Sequence, residues 1–136
     1  MRGGEKDMGS IAEEVIREVE ELERKGKVYI LNTLAVPLDW DNETIYYVDF
    51  YKTNVREVKE IIAKKGFISA VGHEATAKLL TELLGVEIPV NRIQVKMTHG
   101  DQGIHFSLKQ RLPEGKILTL DELKQVGYYL IRTFVV

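Results

Sequence analysis

The sequence predicts an α/β (α+β) fold: a single domain with a mixed β-sheet flanked by helices, preceded by an extra N-terminal amphipathic helix. Three observations predict it. Apolar, β-rich runs interleave with segments of helical period, the pattern of a sheet covered by helices. The chain has 136 residues, 44% hydrophobic and 29% charged, which suits one packed core and is too apolar for a disordered chain. Cysteine is absent, so burial rather than disulfides or Cys-ligated zinc must hold the fold, and a thiolate nucleophile is excluded.

The elements follow in order. Residues 1–9 lack periodicity and are expected to fray. Ser10 reads as an N-cap, with Glu13 closing a capping box. Ile11, Val15, Ile16, Val19 and Leu22 then recur at helical spacing as far as Gly26, a natural C-cap. Val28 to Leu31 is a buried strand ending at Asn32-Thr33. Residues 37–44 are a polar loop carrying Trp40. Ile45 to Tyr51 alternates as a strand. Val55, Val58, Ile61 and Ile62 predict a helix that stops at Gly66. Phe67 to Val71 is a second buried strand, broken by Gly72. Thr76 to Leu84 is a helix closed by Gly85. Ile93 to Met97 and Ile104 to Leu108 read as two strands pairing in a hairpin across the turn His99–Gly103. Leu118 to Leu123 resembles a short capped helix, and Tyr128 to Val136 ends the chain as a β-rich run. The expected division is an N-terminal extension over 1–26 and a main domain over 27–136, with no internal repeat.

Charge narrows the function. The formal net charge is −2, which gives no basic footprint for long DNA or RNA. Residues 10–25 hold six Glu against Arg17, Arg24 and Lys25. That leaves the rest of the chain slightly positive and compatible with a small anionic ligand. With only three histidines, His73, His99 and His105, no multi-histidine metal centre is expected, and a flexible turn explains His99-Gly100-Asp101 as well as a metal does. No apolar run approaches the roughly 18 residues of a membrane span, and no signal peptide is visible. The expectation is a cytoplasmic protein without membrane, metal or cofactor.

Two stretches carry the chemistry: Gly72-His73-Glu74-Ala75-Thr76 and Gln110-Arg111-Leu112-Pro113-Glu114-Gly115-Lys116. His73 stands where an apolar strand ends and a helix begins. A helix N-terminus favours anions, and a phosphate bound there would stabilise the imidazolium, which could then protonate a leaving oxygen. Alternatively His73 only caps the helix. Arg111 can clamp a phosphate bidentately, and Glu114 can orient a ribose hydroxyl or hold Arg111. The alternative is a surface ion pair in a turn. Asn32, at a strand's carboxyl end, is placed as ligands of α/β sheets are, or else initiates a turn. Arg92 either reads phosphate or flanks a strand. No glycine-rich phosphate loop or serine-nucleophile motif occurs.

These elements, taken in order, resemble the viral anti-CRISPR ring nuclease family, which antagonises type III CRISPR immunity. The matching pieces are Leu31-Asn32, Gly72-His73-Glu74-Ala75-Thr76, Asn91-Arg92 before Val95-Lys96-Met97, Gly100-Asp101, and Gln110-Arg111-Leu112 with Glu114-Gly115-Lys116. They cover about residues 27–125. The resemblance implies a homodimer binding cyclic tetra-adenylate in a symmetric pocket between subunits. The implied reaction is metal-independent. A ribose 2′-hydroxyl attacks the adjacent phosphodiester, leaving linear di-adenylate with a 2′,3′-cyclic phosphate. His73, Arg111 and Glu114 match the catalytic positions. Asn32, Thr33, Gly72, Thr76, Arg92 and Gln110 fall at ligand-binding ones. Ala35 stands roughly where viral members often carry a serine, leaving Thr33 as the available hydroxyl. The setting implied is a prokaryotic or virus-infected host cytoplasm. A non-catalytic module that sequesters or senses the ring is the other reading of the same pocket. A third is an interaction protein that docks through the acidic helix.

Overall fold

The apolar run Val28–Leu31 lies inside the sheet, one strand in from its edge. In a computed structural model, which describes residues 8–112 and 116–136, strand β1 (Val28–Leu31) is buried at every position. Such a strand must be covered on both faces, which accounts for its unbroken hydrophobic sequence. Along the chain follow β2 (Val48–Lys52), α2 (Val55–Lys65), β3 (Ile68–Ser69), α3 (Glu74–Leu84), β4 (Gln102–Leu108), α4 (Leu120–Val126) and β5 (Tyr128–Val135), with α1 (Met8–Lys25) in front. The strands form one five-stranded mixed sheet in the order β2-β5-β4-β1-β3. β1 is parallel to both neighbours, with Ile30 opposite Ser69 and Leu31 opposite His105. β5 runs antiparallel between β4 and β2. The result is one α+β domain with four helices among the described residues.

The helices start and stop on chemistry written in the sequence. The Asn54 side chain accepts the Glu57 amide at the start of α2, and Gly66, at φ 71°, ends it. Thr119 and Glu122 form a reciprocal capping box on α4. One sheet face carries Val28, Ile30, Ile104, Phe106 and Leu130 against Val58 and Ile62 of α2, Ala77, Leu80 and Leu84 of α3, and Leu123 of α4. The other face carries Tyr29, Leu31 and Val135. It is covered not by helices but by segments bringing Val36, Leu38, Tyr46, Val95 and Met97.

That second cover overturns one sequence expectation. Ile93 to Met97 is not a ladder strand, and no hairpin joins it to Ile104–Leu108. Its alternation arises because Val95 and Met97 point onto the sheet while Gln94 and Lys96 point to solvent. Only Met97 pairs, in an isolated parallel bridge with Leu38. β4 instead takes β1 and β5 as partners. Other expectations shift at their ends. β2 lies at 48–52 rather than 45–51, β3 is confined to Ile68–Ser69, and α3 begins two residues earlier, at Glu74. Ser10 is not an N-cap, since it lies inside α1. The expected fraying of residues 1–9 falls largely outside the described residues.

α1 is held at its carboxyl end. The Lys65 ammonium donates to the carbonyls of Glu23 and, at 2.9 Å, of Gly26, where a cation complements the helix dipole. Gly26 meets Gly100 so closely that a Cβ added at Gly26 would stand 1.7 Å from the Gly100 carbonyl oxygen. Toward the amino end the apolar stripe is open: Ile11, Val15 and Ile16 are 40%, 53% and 55% exposed. Gly26→Ala is therefore expected to unlatch α1 while sparing the sheet. Urea denaturation should show a loss of about 1–3 kcal/mol, with faster proteolysis around residues 25–28. An unchanged midpoint would mean that the contact carries no weight.

Candidate functional site

Parallel pairing of β1 with both β3 and β4 sends three strand ends to one edge of the sheet. Asn32 and Thr33 leave β1 there, Gly72 and His73 follow β3, and Gln110 and Arg111 follow β4. Carboxyl ends of parallel strands are where open α/β sheets bind ligands.

The tightest grouping surrounds His73. It occupies the N-cap position of α3 with extended backbone (φ −118°, ψ 128°), and its side chain makes no capping hydrogen bond. The imidazole is exposed and thus uncommitted to the helix. The His73 carbonyl accepts the Ala77 amide, so the preceding amides of the first turn, through Thr76, have no intrahelical acceptor. The Arg92 Nε donates to the Gly72 carbonyl at 2.8 Å, which brings a guanidinium to the same junction. Arg92 is itself fixed by its neighbour. The Asn91 side-chain amide donates to the Ser69 carbonyl and its backbone amide to the Val71 carbonyl, both at 2.8 Å. The Ser69 hydroxyl donates to the Pro89 carbonyl at 2.6 Å. His73, the Arg92 guanidinium and first-turn amides without an intrahelical acceptor all belong to the Gly72–His73 junction, a combination suited to an anion.

The remaining candidates are distributed around this group. Asn32 is half-buried and Thr33 exposed at the end of β1. Gln110 and Arg111 are exposed and leave the sheet two strand spacings from β3, roughly 10 Å. Among the described residues, no hydrogen bond or ion pair joins Arg111 to His73. Glu114 lies outside the described residues. Also among the described residues, no group of three or more His, Asp or Glu could hold a metal ion. The Asp101 carboxylate is occupied by the amides of Lys27 and Thr98, both at 2.9 Å. His99 contacts the Val136 carbonyl and Glu43. None of the helices among the described residues is long and apolar enough to cross a membrane.

Sequence reasoning passed over His105. The signal was a lone polar residue between Ile104 and Phe106, preceded by Gly103. Its ring is fully buried, with Nδ1 2.8 Å from the Thr33 carbonyl oxygen and Nε2 2.8 Å from the Thr133 hydroxyl. A carbonyl cannot donate, so Nδ1 carries the proton and Nε2 accepts from Thr133. Burial pushes the His105 pKa down, partly opposed by the Thr33 carbonyl.

A family model described as STIV B116-like matches residues 28–130. The chain belongs to the STIV B116-like family. The matched span holds every strand in part or whole and leaves α1 outside it. Among members of similar sequence, Uncharacterized protein 26 of Sulfolobus islandicus filamentous virus is 47% identical over 102 residues, covering 74% of this chain and 85% of its own. Uncharacterized protein ORF117 of Acidianus two-tailed virus is 42% identical over 106 residues, covering 76% and 88%. Among solved structures, B116 of Sulfolobus turreted icosahedral virus superposes with a TM-score of 0.62 at 28% identity, over 80% of this chain and 99% of that one. The solved viral B116 structure thus shares this fold.

The buried imidazole gives a pH prediction. The fold disfavours a proton that the unfolded chain accepts near pH 6.5. Stability should therefore fall as pH drops below that value, by up to ~1.4 kcal/mol per pH unit until the folded form protonates as well. Urea titrations of the wild type and His105→Asn at pH 7.5 and 5.5 test this. The wild type should lose about 1 kcal/mol more than the variant across the interval. Equal losses would refute it.

Proposed function

We propose that this protein is a metal-independent ring nuclease. In this reading it cleaves cyclic tetra-adenylate to linear di-adenylate ending in a 2′,3′-cyclic phosphate, and so switches off type III CRISPR signalling. The observation that carries the reading is the free His73 imidazole, set beside the Arg92 guanidinium and the open first turn of α3. An RNA diester brings its own nucleophile, so the protein need supply only alignment, charge and a proton. The ribose 2′-oxygen forms a bond to phosphorus and releases its proton to solvent. The bond from phosphorus to the 5′-oxygen breaks, and that oxygen takes a proton from His73. Arg92 and Arg111 balance charge on the phosphate. Asn32, Thr33, Gly72, Thr76 and Gln110 line the ring, and Glu114 completes the set assigned by resemblance. Two copies related by a two-fold axis double each of these groups around a symmetric ligand. The compartment is the cytoplasm of a prokaryotic cell, including one infected by a virus. Residues 27–136 are the catalytic domain and 1–26 an extension to it.

A second reading, a non-catalytic module that sequesters or senses the ring, has one observation in its favour: among the described residues, no hydrogen bond or ion pair joins Arg111 to His73. Incubation with cyclic tetra-adenylate in excess EDTA separates the two. Linear products resolved by chromatography are expected, whereas an intact ring after many protein equivalents rejects the nuclease. His73→Ala should slow cleavage about 10²–10⁴-fold and leave ring affinity within a few-fold. Parallel loss of both would make His73 a binding residue.

A further inference from the structure

We infer that His105 is a positioning residue, whose Nδ1–H tethers the Thr33 carbonyl and so fixes the loop that presents Asn32 at the ligand edge of the sheet. Its link to catalysis rests on the ring-nuclease reading; the tether itself does not.

Past the β1 ladder the chain runs through an exposed stretch, Thr33, Leu34 and Ala35. Its local hydrogen bond is a weak one, from the Ala35 amide to the Thr33 hydroxyl at 3.3 Å. The His105 contact, at 2.8 Å and 72 residues away in sequence, is the long-range hydrogen bond of segment 33–36 among the described residues. The ring that makes it is held from behind. Thr133, fully buried on β5, donates to Nε2. Gly103, opposite Thr133 in the ladder, leaves the space, because a Cβ there would lie 2.4 Å from Nε2 and 2.6 Å from the Thr133 hydroxyl oxygen. Thr133 on β5 and Gly103 on β4 thus fix one imidazole, and it holds one loop carbonyl. A ligand edge gains rate from groups held in place before the substrate arrives, and small displacements are costly.

Two variants of similar bulk divide the ring's functions. The side-chain amide nitrogen of His105→Asn stands where Nδ1 stood and keeps the donor to Thr33. The longer His105→Gln reaches where Nε2 stood, keeping a partner for Thr133 and losing the loop. ¹⁵N relaxation of Thr33 to Ala35 in the free protein should show new motion in His105→Gln and not in His105→Asn. With cyclic tetra-adenylate as probe, kcat/KM should fall about tenfold or more in His105→Gln and stay within about threefold in His105→Asn. Denaturation midpoints of both variants supply the control. Equal rigidity of the loop in both, activity losses that merely track the midpoints, or a loosened loop with unchanged cleavage would each overturn the proposal. Absence of cleavage by the wild type would retire the nuclease reading instead, and the relaxation data would still decide the tether.

Discussion

The structure depends on a four-residue strand, β1, hydrogen-bonded in parallel to neighbours on both sides. Parallel strands cannot be joined by tight turns, so the chain must cross over between them. The crossover from β1 to β3 contains α2, and that from β3 to β4 contains α3. These helices cover one sheet face and bury Val58, Ile62, Leu80 and Leu84. The same pairing aligns the carboxyl ends of three strands, which brings residues 32, 72–73 and 110–111 to one edge although they are far apart in the chain.

The candidate edge is built on the contrast between committed and uncommitted polar groups. Asn91, Ser69 and His105 are spent on the chain, and their hydrogen bonds fix Arg92 and the loop after β1. The His73 side chain caps nothing, although it occupies the N-cap position where Asn54 and Thr119 do cap. A helix start that forgoes its cap keeps amide donors available to an anion.

The second sheet face shows a less regular solution. Val36, Leu38 and Tyr46 from the stretch around the turn at residues 40–42, and Val95 and Met97, lie over Tyr29, Leu31 and Val135. The pairing of Leu38 with Met97 and the amides of Met97 and Asp39 satisfy some of their backbone groups. α1 adds a helix outside the matched family span, attached through Lys65 and the Gly26–Gly100 contact.

Local chemistry determined much of the fold before any contact was known. The stops at Gly66 and Gly85 and the capped start of α4 are set by positive φ and by side-chain donors and acceptors within a few residues, so they were legible in the sequence. The Asn54 cap was not anticipated, and Ser10 proved to lie inside α1. The unbroken apolar run of β1 likewise announces burial on both faces, and Gly72-His73 marks the junction where α3 begins. Tertiary structure alone decided what alternation could not. The run Ile93–Met97 alternates at Val95 and Met97 because these two pack on a sheet, and a period of two does not distinguish that from a ladder. Strand order, the meeting of Arg92 with Gly72, and the burial of His105 against Thr33 all join residues tens of positions apart. Such pairings come from competition among many surfaces for one core, a global outcome that no local stretch of sequence contains.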